Sequence, residues 1–271
     1  MRELERDPTN ADAHDADDSQ LPRLALVGPG RAGRSIAAAA EHAGLPAELA
    51  GREQALEACR RAEAALLCVP DAAIPDACAM IAAAVPPLRF VGHLSGAMTL
   101  DALAPARERG ADAFSLHPLQ TIPRGGADLT GAPCAVSGSS PAALRLAEQL
   151  AEHLGMRPFR VPEERRAAYH AAASIASNLL VALEESAAAL LHRIGVEDAR
   201  ELLAPLVLRT AANWAERGPE ALTGPIARGD EATVERHLAA LGDTAPELLP
   251  LYEALADRAR ELALSATEAH A

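Results

Sequence analysis

The stretch LALVGPGRAGRS, residues 24–35, constrains this chain more than any other. A short apolar run ends at Gly28. Glycines stand at 28, 30 and 33 in the spacing G-x-G-x-x-G, and an Ala-rich helical pattern opens at once. Gly28 permits a tight turn, Gly30 lets the backbone approach a diphosphate, and Gly33 lets helix and strand pack closely. The helix start offers N–H groups and a partial positive charge to an anion. The pattern predicts a dinucleotide site formed by Gly28, Pro29, Gly30, Arg31, Ala32 and Gly33, with Val69 and Pro70 at the end of a neighbouring strand. The alternative is a glycine-rich turn in an α/β protein that has lost its ligand.

The same strand-to-helix rhythm continues along the chain. Strand-like runs at 23–28, 47–51 (a weak one), 64–70, 89–95, 111–117, 132–138 and 157–161 alternate with helical patterns. Strand and helix repeated in this way predict an α/β domain with a mostly parallel sheet. Nearly continuous apolar strands such as LALV and AALLCV fit strands covered on both faces. After Pro162 no strand is evident. Helical periodicity runs for about 30 residues to Gly195, a C-terminal cap, and three further helices complete the chain, one of them with Asp230 as its N-cap. The expected domains are an acidic, disordered tail over 1–21, a dinucleotide-binding domain over 22–160 and an all-helical domain over 161–271, the boundary lying near Pro158–Pro162.

Composition excludes several functions. The chain has no lysine, which removes Schiff-base and P-loop-lysine chemistry. A formal net charge of −13 argues against nucleic acid and anionic membranes as partners. Cys59, Cys68, Cys78 and Cys134 form no C-x-x-C pair, so no metal site is expected, and they read as reduced, mostly buried thiols of a cytoplasmic protein. No uninterrupted apolar stretch approaches the roughly 20 residues of a membrane span, and the polar opening is unlike a signal peptide.

The acidic residue that would hold an NAD ribose should end the second strand. Position 52 there is Arg. An arginine suits a 2′-phosphate through charge-assisted hydrogen bonds and predicts NADP rather than NAD. Glu48 and Glu53 compete for it, and a solvated loop arginine is the alternative.

Ligands of open α/β sheets sit outside the carboxyl ends of the strands. The fourth strand ends HLSGA and the fifth SLHPLQ, placing His93, Ser95 and His117 there. His117 can move the proton that accompanies a hydride. Ser95 can hydrogen-bond a carbonyl or carboxylate. Strand alternation turns His93 away. On the long helix His170, Ser174 and Asn178, spaced i, i+4, i+8, share one face, with Tyr169 and Ser177 beside it. That stripe faces either a cleft between domains or solvent. Arg228, in the Gly/Pro loop LTGPIARGD, either holds an anionic group or lies on a surface turn.

Six blocks in order resemble Rossmann-like proteins with a C-terminal domain of unknown function 2520: LALVGPGRAGRS, LLCVPDAAI, HLSGAMTLDAL, SLHPLQT, YHAAASIASNLLVAL and LTGPIARGD. That group is similar to the pyrroline-5-carboxylate reductase and 6-phosphogluconate dehydrogenase superfamily. The resemblance implies an NADP-binding Rossmann domain, a helical C-terminal domain and a homodimer joined through its helices. SLHPLQT is also similar to the His-Pro segment of prephenate and arogenate dehydrogenases, where the His is the acid–base partner. In β-hydroxyacid dehydrogenases a catalytic Lys precedes an Asn by four residues on the first long helix of the second domain. Asn178 matches that Asn, and Ser174 stands at the Lys position.

Together these features predict an NADP-dependent oxidoreductase. Hydride would pass between nicotinamide and a small anionic carbonyl or imine compound in the interdomain cleft. His117 would be the acid–base group, His170 would assist, Ser95 and Asn178 would orient the substrate, and Ser174 and Arg228 would bind it. A non-catalytic NADP sensor and a helical dimerisation module with a vestigial nucleotide domain are the rival readings.

Overall fold

A computed structural model of the protein describes residues 21–268. The expected acidic tail lies outside the described residues except for Leu21. By its packing the chain divides into a unit ending at Ser174 and a unit beginning at Ile175. The division falls later than the change of pattern at Pro158–Pro162, because the first turns of the long helix are anchored to the sheet.

All seven expected strands form, in one sheet of order β2-β1-β3-β4-β5-β6-β7. They are β1 (Leu24–Val27), β2 (Ala47–Ala50), β3 (Ala64–Leu67), β4 (Phe90–His93), β5 (Asp112–Pro118), β6 (Pro133–Gly138) and β7 (Arg157–Arg160). Every neighbouring pair is parallel except β5 and β6. The helices of this unit are α1 (Arg31–His42), α2 (Ala55–Arg60), α3 (Ile74–Ala84), α4 (Ala104–Arg107), α5 (Pro141–His153) and α6 (Arg166–Ser174).

The central strands are buried on both faces, as their uninterrupted apolar runs require. Side chains alternate between two cores. Leu24, Leu26, Phe90, Phe114 and Leu116 pack with α1 and α5 residues on one face. Ala25, Val27, Val91 and Ala113 pack with α2 and α3 residues on the other. Each face is filled mainly by Ala, Leu, Ile and Val, which answers the scarcity of aromatic residues. The sheet ends on β7, where Arg157 and Arg160 are exposed and Pro158 interrupts donation, devices that discourage edge pairing.

The order of strands reverses at β1 and β3, since β2 lies on one side of β1 and β3 on the other. A crevice therefore opens at the carboxyl ends of β1 and β3. The carboxyl ends of β4 and β5 share that edge of the sheet.

The second unit is helical: a π turn at Ile175–Leu179, then α7 (Leu180–Arg193), α8 (Ala199–Arg217), α9 (Glu231–Thr244) and α10 (Leu249–Glu268). Gly195 has φ +83° just after α7, and the Asp230 side chain accepts the Thr233 N–H at the start of α9, so both expected caps are present. Little of this unit is buried: Ile175, Leu179, Val181, Leu202, Leu206, Leu208 and Trp214 are exposed. Among the described residues one helical segment, Glu163–Arg193, is long and apolar enough by length and composition to cross a membrane. It is not an uninterrupted apolar stretch, because His170, Ser174, Ser177 and Asn178 lie within it and Glu184 and Glu185 follow.

Candidate active site

The glycine turn after β1 has the geometry its spacing predicts. Gly28 has φ +115°, and a Cβ there would lie 2.9 Å from both the carbonyl carbon and oxygen of Cys68. A Cβ on Gly33 would collide with the Gly28 oxygen, so only glycine lets α1 come this close to the turn. At Gly30 the nearest atom to such a Cβ is 3.8 Å away, so the loop is open there. Gly30 caps α1 without a side-chain acceptor, and the first turn contains no acidic residue. The N-terminus of α1 is thus free of carboxylates and oriented to receive an anion.

Arg52 is exposed on the turn after β2. The competition expected from Glu48 does not arise, because both Glu48 oxygens are held by Arg61, at 2.7 and 3.3 Å. Among the described residues Arg31, Arg34 and Arg52 form no ion pair. Val69 and Pro70 stand directly beyond β3, with Val69 Cγ1 3.0 Å from the Cβ that Gly28 lacks.

At the same edge of the sheet β5 carries His117 to its carboxyl end. Nδ1 of His117 lies 2.7 Å from the Tyr169 hydroxyl, and the His170 ring lies 6.1 Å away between centroids. Gly96, just beyond β4, makes room for both imidazoles. A Cβ on Gly96 would lie 2.7 Å from His170 Cδ2 and 2.8 Å from His117 Nε2.

Ser95 is buried beside them with its hydroxyl fully engaged. It donates to Asp71 at 2.8 Å and accepts from the N–H groups of Ala97 at 3.2 Å and Met98 at 2.9 Å. These bonds shape the turn that presents Gly96. Ser174 ends α6 half-buried, in the first unit. Asn178 and Arg228 belong to the second unit and are exposed. Asn178 sits inside the π turn, so the α-helical spacing that would align it with His170 and Ser174 does not reach it.

Behind the histidines lies a group that sequence reasoning missed. Arg166, in the first turn of α6, is 0 % exposed. Its Nη1 donates to Ser115 at 2.8 Å and Ser137 at 3.4 Å, and its Nη2 donates to the Ser95 carbonyl at 2.7 Å. Ser115 and Ser137 are paired across the β5/β6 register with 2.7 Å between their hydroxyls. Glu163 accepts from Ser137 at 2.5 Å and from the Leu100 N–H at 2.6 Å. The sequence signal was a serine in the middle of each of two apolar strands, together with arginines at a helix start.

This arrangement sets the charge of the site. Burial pushes His117 down to about 4, and Arg166 and then His170 add to the shift, with Asp71 opposing. His93 is driven to about 4 by burial and by Arg166. It is 0 % exposed, and neither ring nitrogen reaches hydrogen-bond geometry, although the Thr99 backbone opposes its shift. Both imidazoles are therefore neutral at pH 7. Burial raises Tyr169 to about 12, so it keeps its proton. The four cysteines are free and buried, and burial raises Cys68 and Cys134 to about 12, far from nucleophilic. Among the described residues no group of three or more His, Cys, Asp or Glu side chains could hold a metal ion.

A family model for a Rossmann-like domain matches residues 30–118, and one for a domain of unknown function, number 2520, matches residues 132–259. The chain is a Rossmann-like protein with a C-terminal domain of unknown function 2520. The site draws on both matched segments: Ser95, Gly96 and His117 come from the first, and Ser137, Glu163, Arg166, Tyr169 and His170 from the second. Comparison with curated proteins gave no match.

Among solved structures, a candidate NADP oxidoreductase from Bacteroides fragilis is 22 % identical, with 89 % of this chain and 98 % of that one covered and a TM-score of 0.71. A Thermotoga maritima protein is 21 % identical, with 90 % and 99 % covered and a TM-score of 0.70. A reductive aminase from Aspergillus terreus, in complex with NADPH and ethyl-5-oxohexanoate, is 20 % identical, with 89 % and 94 % covered and a TM-score of 0.62. At these identities the likeness is one of fold.

The neutral histidines make stability depend on pH. The unfolded chain binds protons near pH 6.5, whereas the folded chain resists them down to about 4. Stability is complete above about 6.5 and falls as pH drops toward 4, by up to about 1.4 kcal/mol per pH unit for each histidine. Guanidinium unfolding between these limits should show a shallower pH slope for His93→Leu than for the wild type. Equal slopes would contradict the assignment.

Proposed function

We propose that the protein is an NADP-dependent oxidoreductase acting on a small anionic carbonyl or imine compound. One observation carries the reading. The open glycine turn at the β1/β3 crevice and the neutral imidazole of His117 stand at the same edge of one sheet. The Bacteroides fragilis protein, named for NADP, and the Aspergillus terreus enzyme, in complex with NADPH, support the choice of cofactor.

The residues present fit this cofactor. The N–H groups at Gly30, Arg31 and Ala32 would hold its diphosphate, Gly28, Gly33, Val69 and Pro70 would shape the turn, and Arg52 would take the 2′-phosphate. When bound, the reduced nicotinamide supplies a hydride. The protein supplies the matching proton. In the reductive direction Nε2 of His117 gives a proton to the carbonyl oxygen or imine nitrogen as charge develops there. The proton therefore needs no lysine, and the serine at position 174 is no obstacle to the chemistry. His170 lines the space beside His117 and assists. Ser95 is proposed to orient the substrate through the turn that its hydroxyl holds. Asn178 is proposed to orient the substrate, and Ser174 and Arg228 to bind it, Arg228 at its anionic group.

Two wider expectations complete the proposal. A second copy of the chain is the proposed cover for the apolar side chains exposed on α7 and α8, giving a homodimer through the C-terminal helices. The reduced thiols and acidic surface fit a cytoplasmic protein that binds neither nucleic acid nor membrane.

Two substitutions test the reading. His117→Ala should keep NADPH affinity while turnover, monitored as NADPH oxidation over a panel of 2-oxo acids and cyclic imines, falls about 10²–10⁴-fold. Unchanged turnover would reject the role of His117, and NADPH binding with no turnover in the wild type would favour the sensor. Arg52→Ala should lower the preference for NADPH over NADH by about 10–100-fold, the worth of about one charge-assisted hydrogen bond. A preference that survives would remove the 2′-phosphate argument.

A further inference from the structure

Tyr169 is held by packing on two sides. Its ring meets His117 edge-on at 5.6 Å between centroids and meets Phe159 of β7 at 5.9 Å. This fixes its hydroxyl 2.7 Å from Nδ1 of His117. The direction of that hydrogen bond is set by chemistry. A phenol O–H is the more acidic donor, and an unprotonated imidazole nitrogen is the stronger acceptor. Burial keeps the phenol protonated, and burial with Arg166 keeps the imidazole neutral. The hydroxyl therefore donates to Nδ1, and the ring's own proton resides on Nε2. Among the described residues Nε2 has no hydrogen-bond partner, and it packs against Gly96, where the absence of a Cβ leaves room for the ring.

We propose that Tyr169 is a positioning residue that fixes His117 as its Nε2–H tautomer and so leaves that N–H, unpaired within the protein, as the proton donor to substrate. The catalytic half of the inference rests on the function proposed above; the tautomer does not. The step balances without a cationic acid. The Nε2–H bond breaks as an O–H or N–H bond forms on the substrate. Nδ1 takes the Tyr169 proton at the same time, so the imidazole ends neutral and a phenolate remains. Burial disfavours that phenolate and the charge of Arg166 offsets part of the cost, so it is short-lived and a proton from solvent restores the phenol. The hydride comes from the reduced nicotinamide.

The test is the nitrogen NMR spectrum of the full chain with nitrogen-15-labelled histidine, with His117 assigned by its loss in His117→Gln. At neutral pH, His117 should show a protonated-type shift at Nε2 and an unprotonated-type shift at Nδ1. Tyr169→Phe should move both shifts toward those of an exchanging pair of tautomers while the His93 signals stay. An Nδ1–H tautomer in the wild type would overturn the proposal, as would unchanged His117 shifts in Tyr169→Phe. If that variant does not fold, the wild-type spectrum decides alone. Adding NADPH to the same sample separates the two readings. No perturbation at any nitrogen would count against the oxidoreductase and leave the tautomer standing.

Discussion

The buried guanidinium of Arg166 is the constraint on which the site depends. It ties the turn after β4, the middle of β5 and the middle of β6 to the first turn of α6. A helix pinned there must place its next turn over the end of β5. That is how Tyr169 and His170, far from His117 in sequence, come against its ring. The ion pair with Glu163 is the weaker part of this knot: it is 3.6 Å long, and the carboxylate is 32 % exposed, so solvent screens it. The short hydrogen bonds to two hydroxyls and a carbonyl do more, because a buried charge without such partners costs several kcal/mol.

The same guanidinium governs the chemistry. Burial keeps both imidazoles neutral, and the positive charge held near them adds to its effect. A neutral imidazole can give or take a proton only if its two nitrogens are distinguished, and the Tyr169 hydroxyl distinguishes them. Ser95 and Asp71 contribute by building the turn at Gly96, without which neither imidazole would fit. Structure and reactivity thus share one set of groups.

The sheet was legible in the sequence because its central strands are short apolar runs closed by Gly, Pro or a polar residue. The glycine turn was legible because its spacing has a mechanical meaning. The reversal of β6 was not, since strand direction leaves no mark on an apolar run. Arg166 escaped notice because a charged residue at the start of a helix looks solvated until its acceptors are known. Those acceptors, Ser115 and Ser137, stood in plain view as hydroxyls inside apolar strands. Ser95 looked like a substrate contact because only the fold shows that Asp71 and two backbone N–H groups already occupy it. The stripe of His170, Ser174 and Asn178 assumed an unbroken α-helix, and the π turn breaks it.

The central claim is that the glycine turn seats a dinucleotide whose reactive ring comes to His117. A crystal structure of the protein grown with NADPH tests it most directly. The expected result is the diphosphate on the N–H groups that open α1, the 2′-phosphate at Arg52, and the nicotinamide beside Nε2 of His117, with room between them for a carbonyl or imine. A diphosphate seated elsewhere, or a ring too far from Nε2 for one small molecule to touch both, would contradict it.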